Sequence, residues 1–169
     1  MEGCPVNTDK EYLSRLNNLF KENDEIYRNA AKRVGLPDCA FWIFYILRED
    51  SIKKEGNILT QSEICSTMYL PKQTVNSAMK KLENDGYIRL FNTNDRRSKQ
   101  VSLTPKGMAL AENTVDRIIE KETDALAGMA ADEKETFLRL YQKYNDLLNT
   151  KMQTLTDSAG LSAKALEGE

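Results

Sequence analysis

Six polar residues, Lys72, Gln73, Thr74, Asn76, Ser77 and Lys80, are spaced so that one face of a helix would carry all of them. Val75, Met79 and Leu82 then fall on the opposite face. Amides, hydroxyls and cations gathered in this way suit hydrogen bonding to base edges and phosphates. Gln73 and Asn76 have the donor–acceptor pair that matches adenine, and Thr74 has a methyl that packs against that of thymine. Lys72 and Lys80 suit phosphates and would set register. A polar face is also the ordinary surface of any solvated helix, so the neighbouring elements must decide between the two readings.

Those elements follow a recognisable order. Thr60 and Glu63 have capping-box spacing and open a short helix to about Met68. Tyr69-Leu70-Pro71 breaks it, and Pro71, lacking an N–H, is expected at the first position of the next helix, which runs to about Asn84. Gly86 is its left-handed stop. Tyr87 to Phe91 and Gln100 to Leu103 read as two strands, with a polar, basic loop from Asn92 to Lys99 between them. The loop tip holds Asp95, Arg96 and Arg97, with Lys99 at its end. An arginine projected on such a loop can enter a minor groove, and a neighbouring carboxylate can orient it. An isolated Asp-Arg-Arg is more simply a solvated turn.

Charge distribution favours nucleic acid. The chain is −2 overall, yet from Pro71 to Lys106 eight basic residues face three acidic ones, a net of +5. The remainder is −7. A basic centre between acidic arms is a local electrostatic footprint. The chain has no histidine, which removes the commonest general base and metal ligand together. Three scattered cysteines make neither a disulfide framework nor a thiolate metal site. Hence we expect no catalytic residues, no metal and no cofactor. No apolar run reaches the roughly 18 residues that span a bilayer, and the first ten residues do not read as a signal peptide. A soluble cytoplasmic protein without membrane association is expected.

On either side of the basic centre the pattern is helical. Thr8 and Glu11 cap a helix whose apolar positions run from Tyr12 to Val34, ended by Gly35-Leu36-Pro37. A second helix, about Asp38 to Arg48, is apolar nearly all round, so it is buried on more than one side. Thr104-Pro105 opens one long helix bearing Leu110, Val115, Ile118, Ile119 and Leu126, interrupted at Gly128 to Asp132. Asp132 and Glu135 are expected to cap a last helix reaching Leu155, and residues 156–169 to form a disordered tail.

Leu59-Thr60, the run from Leu70 to Asn76, the run from Lys81 to Ile88, Asp95-Arg96-Arg97-Ser98 and the run from Val101 to Gly107 together resemble the MarR family of transcriptional regulators. The resemblance implies a mainly α (α+β) fold. A winged helix-turn-helix with a small antiparallel wing sheet would sit between long N- and C-terminal dimerisation helices. It divides the chain into an N-terminal helix (1–36), a DNA-binding lobe (37–107), C-terminal dimerisation helices (108–155) and the tail. It implies a homodimer on double-stranded DNA, repressing transcription. The family's wing pattern D-x-R maps onto Asp95 and Arg97, with Arg97 as the minor-groove residue and Arg96 in the variable position. Many members are released by small aromatic effectors, for which Phe41, Trp42 and Tyr45 are the candidate lining. Aromatics at that spacing more often simply pack. Two other readings stay open: a protein-interaction module on the same scaffold, and a redox sensor. For the latter, Cys39 near a helix N-terminus is the candidate, since that position can lower a thiol pKa; Cys4 lies near the chain end.

Overall fold

The computed structural model describes residues 8–52, 59–68, 70–92 and 99–158. Its elements are α1 (Asp9–Arg33), α2 (Asp38–Ile52), α3 (Gln61–Thr67), α4 (Lys72–Asn84), β1 (Ile88–Asn92), β2 (Lys99–Leu103), α5 (Pro105–Asn113), α6 (Val115–Ala127) and α7 (Ala131–Ser158). They fall into two compact units, Met1–Glu120 and Lys121–Glu169. The fold is mainly helical with one two-stranded antiparallel sheet, as expected.

The first unit has a closed core. α2 supplies Phe41, Ile43 and Phe44, all fully buried, against Ile64 of α3, Val75 and Met79 of α4, Val101 of β2 and Val115 of α6. α2 is apolar on several faces because it is surrounded, and it runs to Ile52, past the expected Arg48. Ile88 pairs with Leu103 and Asn92 with Lys99, so β1 starts and ends one residue later than its alternation suggested. Val101 N–H donates to Leu59 O at 2.9 Å, and Thr60 bridges Gln100. This ties the start of α3 to the sheet.

Local signals hold at most helix ends. Thr8 and Glu11, and Thr60 and Glu63, form reciprocal capping boxes. Gly86 lies at φ +75°, the left-handed stop after α4. Thr104 caps α5 with Pro105 inside it. Gly107 is required for another reason. A Cβ there would lie 1.9 Å from Tyr87 O, so only glycine lets α5 start this close to β1.

Three expectations need correction. Pro71 is the N-cap of α4 (φ −53°, ψ 128°), one position outside the helix. The long helix after Thr104 is two helices, broken at Thr114 (φ −127°, ψ −87°). There the buried Thr114 hydroxyl donates to Leu110 O at 2.6 Å, and Asn113 Nδ2 donates to Ala109 O at 2.7 Å. Side chains that compete for helix carbonyls in this way bend helices. The start of α7 is held by Glu133, which accepts from Ala130 N–H at 2.8 Å; Asp132 lies within the first turn.

In the second unit α7 continues to Ser158, three residues past the expected Leu155. Residues 159–169 of the expected tail lie outside the described residues, as do Cys4, Gly56 to Ile58 and Tyr69. Among the described residues no helix is long and apolar enough to cross a membrane.

Candidate nucleic-acid interface

α4 is divided sharply by burial. Val75, Met79 and Leu82 are buried, and Lys72, Gln73, Thr74, Asn76, Ser77 and Lys80 are all exposed. The apolar stripe fixes the helix on the core, and the rotation that buries it presents the polar residues outward together. The helix opens without a side-chain cap and without an acid in its first turn. Lys72 therefore stands at the positive end of the helix dipole, an arrangement that attracts anions.

α3 lies beside α4 and bonds to it. Gln61 Nε2 donates to Asn76 Oδ1 at 2.8 Å, and the Cys65 thiol donates to the same oxygen at 3.5 Å. Burial pushes the Cys65 thiol pKa up, although Lys72 pulls the other way, so it stays a protonated donor at neutral pH. Sequence reasoning missed Gln61. Its partner is fifteen residues away, and no periodicity links the first residue of one helix to the middle of the next.

The wing is described only in part. Lys99 is exposed and pairs with Asn92 at the end of the strands. Asp95, Arg96 and Arg97 lie outside the described residues. The other end of the wing is tightly held. Thr104 Oγ1 donates to Gly86 O at 2.7 Å, and Lys106 Nζ donates to Asp85 O at 2.7 Å while sitting 4.3 Å from the Tyr87 ring centroid. Lys106 is therefore occupied in structure, although it contributes to the basic segment.

The remaining candidates are elsewhere in the first unit. Phe41 is fully buried, while Trp42 and Tyr45 are half-buried. Their rings meet edge-on or tilted, with Trp42 5.0 Å from Phe41, 5.4 Å from Tyr45 and 5.1 Å from Tyr27. Cys39 is half-buried, and burial with a smaller contribution from Cys65 raises its pKa. This is opposite to the lowering expected from its place at the start of α2. Desolvation penalises the charged thiolate, so burial is the first cause of the rise. Among the described residues no group of three histidine, cysteine or acidic side chains is placed to hold a metal.

A second contact absent from the sequence patterns joins α2 to α6. Arg48 Nε and Nη2 donate to the two Asp116 oxygens at 2.7 and 2.5 Å, and Nη1 approaches Met108 Sδ at 2.9 Å. This part-buried fork spans the Thr114 break.

The MarR family model matches residues 45–98, the span from α2 through the wing. That span of the chain is therefore similar to the MarR family. The HTH-type transcriptional regulator PecS of Dickeya dadantii is 33% identical over 82 residues, 48% of this chain and 49% of its own length. The uncharacterized HTH-type transcriptional regulator YwoH of Bacillus subtilis is 29% identical over 86 residues, 51% of this chain and 63% of its own. The chain thus spans about half to three-fifths of the curated relatives it matches. S. aureus MepR in its DNA-binding conformation superposes with a TM-score of 0.66 at 19% identity, over 81% of this chain and 98% of that one, a likeness of fold.

Proposed function

We propose that this chain is a MarR-family transcriptional regulator, not an enzyme, that binds a pseudo-palindromic operator in double-stranded DNA as a cytoplasmic homodimer and represses by occupying it. One observation carries the reading: α4 buries Val75, Met79 and Leu82 and leaves Lys72, Gln73, Thr74, Asn76, Ser77 and Lys80 exposed together. A major groove about 12 Å wide admits one such helix. Gln73, Thr74, Asn76 and Ser77 would meet base edges, with Lys72, Lys80 and Lys99 on phosphates. Arg97, held by Asp95, would enter the minor groove beside Arg96.

Dimerisation is supported by the terminal helices. α1 exposes Tyr12, Leu13, Leu19 and Ile26, and α7 exposes Phe137, Leu138, Leu147 and Met152. Apolar faces of this extent ordinarily mark association. In this reading residues 37–107 contact DNA, while 1–36 and 108–155 pair the protomers. Half-sites would lie about 34–36 Å apart. A small aromatic effector stacking on Trp42 and Tyr45, beside Phe41, would release DNA by shifting the lobes; ligand quenching of Trp42 fluorescence tests this part.

The main test is fluorescence anisotropy with duplex from the regulator's own upstream region, an unrelated duplex as control, and salt varied. Specific binding at about 10⁻⁸–10⁻¹¹ M against about 10⁻⁴–10⁻⁶ M for the control is expected. If equal, weak binding to both persists after a genome-wide binding selection, the winged helix serves protein contacts instead.

A further inference from the structure

The exposed amides of α4 differ in what they have left to offer. A carbonyl oxygen has two lone pairs. On Asn76 Oδ1 both are engaged, one by Gln61 Nε2 at 2.8 Å and one by the Cys65 thiol at 3.5 Å. The donors are firmly placed. Gln61 directly follows Thr60, whose N–H and hydroxyl both donate to Glu63 Oε2 at 2.7 Å and which also bridges Gln100 of β2. Cys65, one turn along α3, is buried in the core. With Oδ1 turned to α3, the Nδ2 group, a pure donor, is the amide group left for a partner outside α3.

We propose that Gln61 is a specificity-determining residue that never needs to touch DNA, because it sets which hydrogen-bonding group Asn76 presents to a base. The proposal rests on the DNA-reading function above. The usual asparagine pairing with adenine needs both amide atoms, Oδ1 accepting from N6 and Nδ2 donating to N7. With Oδ1 committed to α3, Nδ2 alone faces the groove. It then suits an acceptor that adenine lacks, O6 of guanine or O4 of thymine; N7 is common to both purines and does not discriminate. At adenine it would meet the amino group beside N7, and cytosine offers only a donor. Asn76 thus reads guanine or thymine in place of adenine.

Gln61→Glu reverses the geometry. A carboxylate at residue 61 accepts from Nδ2, so the Asn76 amide turns over and presents Oδ1, which suits the amino groups of adenine and cytosine. The substitution places an acid in the first turn of α3, where the helix dipole favours it, and the variant should fold; thermal melting checks this. Gln61→Met is the second variant. It removes the donor, leaves Cys65 as the one restraint and restores the bidentate adenine pairing.

The experiment is selection from a randomised duplex pool with the full-length wild type, Asn76→Ala, Gln61→Glu, Gln61→Met and the Asn76→Ala/Gln61→Glu double variant. Asn76→Ala locates the base position by erasing its preference. There the wild type should favour guanine or thymine, Gln61→Glu adenine or cytosine, and Gln61→Met adenine. Each change should be about tenfold in relative preference, the size of one well-placed hydrogen bond. The double variant should show no preference there, since the effect passes through Asn76. A Gln61 variant that weakens binding evenly, or that shifts preference equally without Asn76, overturns the proposal. A wild type that selects no sequence at all overturns instead the DNA-reading function on which it rests.

Discussion

The lobe built by α2 to β2 and the long helix α7 both carry many apolar side chains and treat them in opposite ways. Phe41, Ile43 and Phe44 of α2 are completely buried within one chain. Phe137 and Leu138 of α7 are 52% and 60% exposed, and no described residue of α7 is buried. α1 resembles α7, with Ala31 as its one buried side chain. The difference is one of closure. A compact lobe satisfies its apolar surface internally and is stable at any concentration. A long helix with a single apolar stripe does so only against another surface, so its order is linked to association.

The largest expected effect lies in the lobe. Phe44→Ala should cost about 3–5 kcal/mol, measured by urea denaturation, with no dependence on protein concentration in the lobe's own transition. A cost below about 1 kcal/mol would mean that the lobe is not the closed core described. In α7 the same chemistry should appear as association. Leu138→Lys should leave the lobe's helical circular dichroism intact and weaken the proposed dimer by about two to four powers of ten, because each of two copies loses about 1.5–3 kcal/mol of burial. Sedimentation of an unchanged dimer would show that another surface pairs the protomers.

Asp116→Ala probes the boundary between the two behaviours. It leaves the Arg48 guanidinium part-buried without its fork. A loss of about 1–3 kcal/mol is expected, below that of a fully buried pair because water still reaches both groups. Thr60→Ala is the smallest change, about 1 kcal/mol from the lost cap of α3. Its reciprocal partner adds a pH dependence. Hydrogen bonds from the Thr60 backbone N–H, and then from its hydroxyl, hold Glu63 below the ordinary carboxylate range. A depressed carboxylate contributes stability above its unfolded pKa and loses it as pH falls through the folded value. The melting-temperature gap between wild type and Glu63→Ala should therefore be full at neutral pH and narrow as pH falls below the ordinary carboxylate range.

Much of the lobe was legible because its signals are local. A threonine three residues before a glutamate, a glycine after a helix and a proline after a threonine act on backbone groups within one turn. The exposed face of α4 could be read in the same way, since burying Val75, Met79 and Leu82 leaves its polar residues no other direction. Pro71 shows the margin of such reading. Its ring fixes φ for either the cap or the first helical position, and ψ, set by the turn from α3, chose the cap.

What the tertiary structure decided was every pairing between distant segments. Periodicity continued one helix from Thr104 to Leu126. The buried Thr114, free to bond its own helix's carbonyl once packed against the core, broke it. Cys39 stood at a helix start, where a lowered pKa was expected, and burial raised it. Nothing in the spacing linked Gln61 to Asn76, or Arg48 to Asp116. Caps and turns are settled by neighbours in sequence. The partner of a long polar side chain is settled only when packing brings together residues fifteen or sixty-eight positions apart, and amphipathic spacing carries no information about which they will be.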